Sequence, residues 1–162
     1  MNRLLCLVAT LLLVVNAPAH ADESVTDSWT LTDMKGVAHD VDATIAGGKN
    51  VVLVFWQTWC GPCKREAPKL AIAATDHSKG LAFFGVISGS DRDVDDKKVL
   101  AYVQKYKLPY PQIRDRDIVL TRHYEVIGTP TIIVLGPGRE VLYRGSHPPD
   151  DWKALEGQAT GR

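Results

Sequence analysis

Neither basic nor acidic residues are in excess in this chain. Its 162 residues carry 19 Lys and Arg against 19 Asp and Glu. That balance gives no support to a nucleic-acid partner or a membrane surface held by a basic patch. Cysteine is scarce as well: three residues are too few for a small domain stapled by disulfides. The longest apolar stretch, Leu4 to Val15, is too short to span a membrane comfortably. No internal repeat, linker or second domain is visible. Apolar runs recur along nearly the whole length, which excludes extensive disorder and fits one domain with a sizeable core.

What is present at the N-terminus reads as an address. Arg3 precedes the apolar stretch, Asn16 and Pro18 break it, and Ala19-His20-Ala21 supplies the small-x-small pattern of a cleavage site. Residues 1–21 are expected to be a secretory signal peptide, the alternatives being an uncleaved anchor or a buried helix. Removal of Arg3 and Cys6 with the leader leaves 18 basic against 19 acidic residues, a net charge of −1. It also leaves two cysteines, Cys60 and Cys63, in an exported protein expected in a bacterial periplasm, where disulfides persist.

The rest, residues 22–162, reads as one α/β domain with its core over about 29–157. Asp22 to Ser28 is a polar arm. Trp29 to Asp33 and Val37 to Val41 flank Met34-Lys35-Gly36 as a β-hairpin. A short helical turn follows over Asp42 to Ala46. Val51 to Trp56, Ala82 to Ser88 and Thr131 to Leu135 are continuous apolar runs, the pattern of strands buried on both faces. A helix is expected from about Cys60 to Ala74, with Leu70, Ala71, Ala73 and Ala74 inward and a kink at Pro68. A second helix would bury Val99, Leu100, Val103 and Tyr106. Leu108 to Pro111 leads into a short extended piece near Ile113. Asp117 to Tyr124 is expected to be a short helix with Ile118, Val119 and Tyr124 inward. Val141 to Tyr143 pairs back antiparallel after Gly136-Pro137-Gly138. Asp150 is expected to start a last helix burying Trp152 and Leu155, with a frayed tail from Gly157. Alternating strands and helices imply a layered domain with a mixed sheet.

Trp59-Cys60-Gly61-Pro62-Cys63 carries the chemistry. It follows a buried strand and opens a helix. Two cysteines with two residues between them can close a small-ring disulfide across a helical first turn. Cys60 then sits where unpaired N–H groups and the helix dipole favour a thiolate, the species that attacks disulfides. Pro62 suits a first turn, where its missing donor costs little. Trp59 offers a flat apolar edge beside the sulfur. Three other readings are weaker. A structural zinc site needs about four ligands, and His39, His77, His123 and His147 show no metal spacing. Covalent haem attachment needs a histidine after the second cysteine, where Lys64 stands. A purely structural disulfide across so short a loop restricts the unfolded chain little.

These residues resemble the thioredoxin superfamily, and are most similar to the exported TlpA/ResA/DsbE-like thiol–disulfide oxidoreductases. The resemblance is carried by Val51 to Cys63, by Lys64-Arg65-Glu66-Ala67-Pro68 and by Val126-Ile127-Gly128-Thr129-Pro130-Thr131. It implies a thioredoxin-like fold, a central mixed sheet flanked by helices, with an N-terminal β-hairpin and a central inserted helix around Val99 to Tyr106. It makes Cys60 the attacking and Cys63 the buried resolving cysteine. It places Pro130 in cis facing the pair, against the alternative of a trans turn, with Thr129 offering its backbone to substrate. Trp59, Gly61 and Pro62 join Thr129 and Pro130 as the substrate-binding surface. Glu66 either tunes the pair and relays a proton or is a solvated carboxylate near a helix start. One departure stands out: thioredoxins bury an aspartate six residues before the first cysteine, and Val54 is there.

The resemblance implies reduction of disulfides in exported proteins, such as apocytochrome c, with no cofactor or metal. It further implies a membrane electron donor, no nucleic acid and nothing that demands more than a monomer. The same site run as an oxidant or isomerase, or a thiol-dependent copper-binding module, are the rival readings.

Overall fold

A computed structural model of the protein describes residues 29–157. The leader, Cys6, the arm over 22–28 and the tail over 158–162 lie outside the described residues. The hairpin pairs β1 (Thr30–Thr32) with β2 (Ala38–Asp40), and α1 (Val41–Ala46) follows, capped by the Asp40 carboxylate on the Ala43 N–H at 2.8 Å. Then come β3 (Asn50–Phe55), α2 (Gly61–Asp76), β4 (Leu81–Ser88), α3 (Asp96–Tyr106), β5 (Gln112–Asp115), α4 (Val119–His123), β6 (Thr131–Leu135) and β7 (Val141–Gly145). The central sheet has the order β5-β4-β3-β6-β7. β3, β4 and β5 run parallel, while β6 and β7 pair antiparallel. This is the mixed sheet that the alternation of elements implies.

Two cores fill the two faces. The period-2 alternation of β3 sends Val52 and Val54 to the face covered by α2 and α3, and Val51, Leu53 and Phe55 to the face covered by α1, α4 and the hairpin. All six residues of β3 are buried, which is why the run is apolar without alternation. The hairpin closes the sheet's β5 edge: Met34 N–H donates to the Gln112 carbonyl at 2.8 Å, and Asp33 bridges Ile113. An open edge strand would otherwise offer unpaired backbone groups to other chains.

Several expectations are corrected here. The short extended piece expected near Ile113 is present as the four-residue strand β5; the differences lie elsewhere. In α3 the inward residues are Val99 and Tyr102, with Val103 and Tyr106 partly buried; Leu100 faces out. In α4 Leu120 is buried and Val119 exposed. Among the described residues no α-helix follows Asp150. Lys153–Leu155 forms a single 3-10 turn, although Trp152 and Leu155 do pack inward. Gly157 is pinned rather than frayed, its N–H donating to the Gly80 carbonyl at 2.9 Å. Of the α2 residues expected inward, Leu70 and Ala73 are buried and Ala71 and Ala74 half-buried; Cys63, Glu66 and Ala67 complete the buried face. α2 continues through Pro68, which removes one rung of the ladder without ending the helix.

Candidate active site

β3 ends at Phe55, and five residues later Cys60 caps α2 in an extended conformation. Gly61 and Pro62 occupy the exposed first turn. Cys60 and Cys63 are joined as a disulfide. The Cys63 N–H donates to Cys60 Sγ at 3.1 Å, so a sulfur fills the place that a serine or aspartate oxygen takes in an ordinary N-cap. When the bond is reduced, that same N–H faces a Cys60 thiolate and, with the helix dipole, favours the anion.

The second wall comes from the far end of the sequence. The Thr129–Pro130 peptide bond is cis, as the resemblance implies. The Thr129 carbonyl oxygen lies 3.3 Å from Cys60 Sγ. In the disulfide this sulfur carries no hydrogen, so the approach is a contact; in the dithiol the oxygen can accept the S–H. Pro130 is buried, while Gly128 and Ile127 before Thr129 are exposed. Trp59 stands 72% exposed at the mouth. The structure thus brings Trp59, Cys60, Gly61, Pro62, Cys63, Thr129 and Pro130 together at one end of the sheet.

The two cysteines are equally covered in this oxidised state, each 3% exposed. Their neighbours separate them. Cys60 is flanked by Trp59, Gly61 and Pro62 at the surface. Cys63 lines a small apolar cavity with Val54, Ala67, Leu70 and Pro130. Tyr102 and Tyr110 also border that cavity, and burial pushes both phenol pKa values up, so they stay protonated. Glu66 is buried on the α2 face that carries Cys63. Its Oε2 lies 3.0 Å from Lys69 Nζ but makes no hydrogen bond. A freely solvated carboxylate is therefore the wrong description of Glu66.

Gln57, which the motif reading passed over, anchors the strand-to-helix turn. Its carbonyl accepts the Cys60 N–H at 3.2 Å, and its side-chain amide donates to the Ser88 carbonyl at 2.7 Å. A polar residue following an uninterrupted apolar strand was the available signal. Among the described residues no group of three or more His, Cys, Asp or Glu could hold a metal. No helix among them is long and apolar enough to cross a membrane.

A redox disulfide at a helix start, facing a cis-proline loop on this sheet, matches a known family. The Redoxin family model matches residues 17–158. The chain belongs to the Redoxin family. Within it the chain groups with the thioredoxin-like ResA, DsbE and TlpA proteins. The thiol-disulfide oxidoreductase ResA of Geobacillus kaustophilus is 30% identical over 119 residues, covering 73% of this Redoxin chain and 65% of that protein. The soluble secreted antigen MPT53 of Mycobacterium bovis is 30% identical over 113 residues, covering 70% and 60%. The crystal structure of a secreted Mycobacterium tuberculosis disulfide oxidoreductase homologous to E. coli DsbE has a TM-score of 0.61 at 27% identity, covering 75% of this chain and 84% of that one. The chain spans between about half and two thirds of the length of curated relatives such as the thioredoxin-like protein YneN of Bacillus subtilis, at 52%, and ResA, at 65%.

Proposed function

We propose that this protein is an exported thiol–disulfide oxidoreductase that reduces disulfides in other exported proteins. The carrying observation is the Cys60–Cys63 disulfide at the N-cap of α2, with the Thr129 carbonyl against its leading sulfur. The printed names of the relatives, oxidoreductases and a secreted antigen, support the same reading. Cleavage after Ala21 and a periplasmic location belong to this proposal, as do a membrane electron donor and a working monomer. Apocytochrome c, whose haem-binding cysteines must be reduced, is the substrate the resemblance implies.

The reaction begins from the dithiol. The Cys60 thiolate, held by the Cys63 N–H, attacks one sulfur of the substrate disulfide. The other substrate sulfur leaves as a thiolate and takes up a proton, giving a mixed disulfide through Cys60. The substrate chain lies along Thr129, whose backbone flanks the reacting sulfur. Cys63 then loses its proton and attacks Cys60 Sγ, releasing the second substrate thiol. Two electrons have passed to the substrate, and the protein is left in the oxidised form described above. In this proposal Glu66 takes the Cys63 proton, since Val54 offers no carboxylate.

Reduction of insulin disulfides by the mature protein, recharged by dithiothreitol, tests the proposal. The expected outcome is catalysis that Cys60→Ser abolishes and that Cys63→Ser halts at a trapped mixed disulfide. Full activity in Cys60→Ser would sink the mechanism.

A further inference from the structure

The mechanism above uses one flank of the reactive sulfur, the flank where β6 delivers Thr129. β4 neighbours β3 on the other flank, and because the two run parallel its end lies at the same end of the sheet. Beyond Ser88 the chain turns at Gly89, whose φ of 114° is open to glycine and strained for other residues. It continues as a loop into α3. Between this loop, the Lys98–Tyr102 stretch of α3 and the Thr58–Trp59 step is a cleft of about 510 Å³, whose lining reaches Trp59, the residue before Cys60. Trp59, Ala101 and Tyr102 supply its apolar surface. Asp93 and Lys98 are among the charged groups at its rim, where both signs are interspersed.

The outer wall hangs on one side chain. Arg114 of β5 is an arginine with only 2% of its side chain exposed. Its guanidinium donates to the carbonyls of Ile87 at 3.0 Å, Gly89 at 3.2 Å and Val94 at 3.4 Å, and to Asp96 Oδ1 at 2.6 Å. It thereby ties the end of β4, the turn, the loop and the start of α3 to one rigid strand. A buried cation is costly unless its donors are used, and the planar five-donor fork of arginine can serve this many acceptors where an ammonium cannot. The motif does not need such an anchor; the cleft wall does.

We propose that this cleft seats the substrate polypeptide on the side of its reacting cysteine remote from Thr129, and that Arg114 is the positioning residue that holds the wall. The proposal rests on the disulfide-exchange reading above. The occupant is an extended polypeptide with an apolar or aromatic side chain beside its disulfide. The charged lining is Asp91, Arg92, Asp93, Asp95 and Lys98, three acids against two bases, so an acidic segment gains nothing there, while the exposed Trp59 face and the Ala101 and Tyr102 surface reward apolar contact.

Steady-state reduction of insulin by wild type, Ala101→Trp and Arg114→Lys tests this. Ala101 is exposed on α3, so a tryptophan there fills the cleft without disturbing the core. The expected result is a KM raised at least fivefold in Ala101→Trp with kcat within twofold, and the same split, smaller, in Arg114→Lys. Two matched peptide disulfides, bearing Phe or the uncharged Gln next to the cysteine, should differ at least threefold in KM with wild type and converge with Ala101→Trp. A KM within twofold of wild type in Ala101→Trp, or a fall in kcat alone, overturns the cleft while leaving disulfide exchange standing. Wild type inactive on insulin overturns the exchange reading and the cleft with it.

Discussion

In the proposed mechanism Cys63 must lose a proton before it attacks Cys60, and its surroundings oppose that. Burial in an apolar cavity raises a thiol's pKa. Val54, only 2% exposed, occupies the position where thioredoxins keep a carboxylate. The neighbouring tyrosines are pushed further from ionisation by burial, so they are no bases. Glu66 is the buried carboxylate on the same helical face, one turn on from Cys63, which is the spacing at which side chains on a helix meet. Glu66→Gln keeps the shape and removes the base. With an aromatic disulfide reagent in stopped flow, the first release of thiol reports attack by Cys60 and the second reports attack by Cys63. Glu66→Gln is expected to slow the second phase about tenfold or more near pH 6, while the first changes less than twofold. Two unaltered phases would remove Glu66 from the mechanism. The Cys60–Cys63 pair itself was readable from the chain because Cys-Gly-Pro-Cys after an apolar strand has few physical uses. Gln57 and Arg114 were not. For Gln57 the one local signal is a polar residue just past an apolar strand, and its bond to the Ser88 carbonyl is distant in sequence; Arg114 bonds backbone carbonyls 20 to 27 residues away, and nothing local to it signals them.

Among the elements, strands were easier to read than helices for a physical reason. A strand buried on both faces is apolar throughout, so β3, β4 and β6 show themselves whatever their register. A half-buried helix shows itself only through its phase, and the phase is set by capping and tertiary contacts. In α4 the Asp115 carboxylate accepts the N–H groups of Leu120 and Thr121 at 3.1 and 2.9 Å. Ile118 takes a left-handed conformation before the helix starts, at φ 53°. The helix thus starts two residues later than the sequence suggests, and Leu120 rather than Val119 turns inward. Where a last helix is expected, Lys153–Leu155 forms one 3-10 turn, pinned by Asn50 Nδ2 on the Leu155 carbonyl at 2.9 Å. The hairpin and α1 are held differently, by Asp42. Its carboxylate pairs with the Arg139 guanidinium and accepts the Trp29 N–H at 2.9 Å, which together lower its pKa to about 2. A depressed carboxylate contributes stability that is fully present above its unfolded pKa and is lost as pH falls through the folded value. Asp42→Asn is therefore expected to be less stable than wild type at pH 6, with the difference shrinking between about pH 4 and pH 2. Urea unfolding across that range measures it, and high salt should diminish the gap because the pair is partly exposed. A gap that does not vary with pH would show that Asp42 acts through shape alone.

For the molecule as a whole, the oxidised and reduced forms are two folded proteins joined by one thermodynamic cycle. The difference in their stabilities equals the shift that folding imposes on the potential of the cysteine pair. Closing the short loop from Cys60 to Cys63 restricts the unfolded chain by about 2 kcal/mol in the chain-entropy model, and the fold, which already holds the two residues on one helical turn, is spared that restriction. Two contacts then pull in opposite directions. The Cys63 N–H at 3.1 Å holds a Cys60 thiolate and so favours the reduced form. The Thr129 carbonyl at 3.3 Å presents lone pairs to the same sulfur and disfavours the anion. Cys63, buried among apolar side chains, gains nothing from ionising. The Cys63 N–H and the helix dipole are offset in part by the Thr129 carbonyl, so the oxidised protein is expected to be the more stable by at most about 2 kcal/mol, which for a two-electron couple corresponds to at most about 40 mV toward the reducing side of the unfolded pair. Urea midpoints with and without dithiothreitol measure the stability difference, and equilibration with glutathione measures the potential independently. Agreement between the two, with the oxidised form more stable, is what a reductant requires. A reduced form that outlasts the oxidised one in urea would mean that the fold stabilises the dithiol, and the flow of electrons proposed above would have to be reversed.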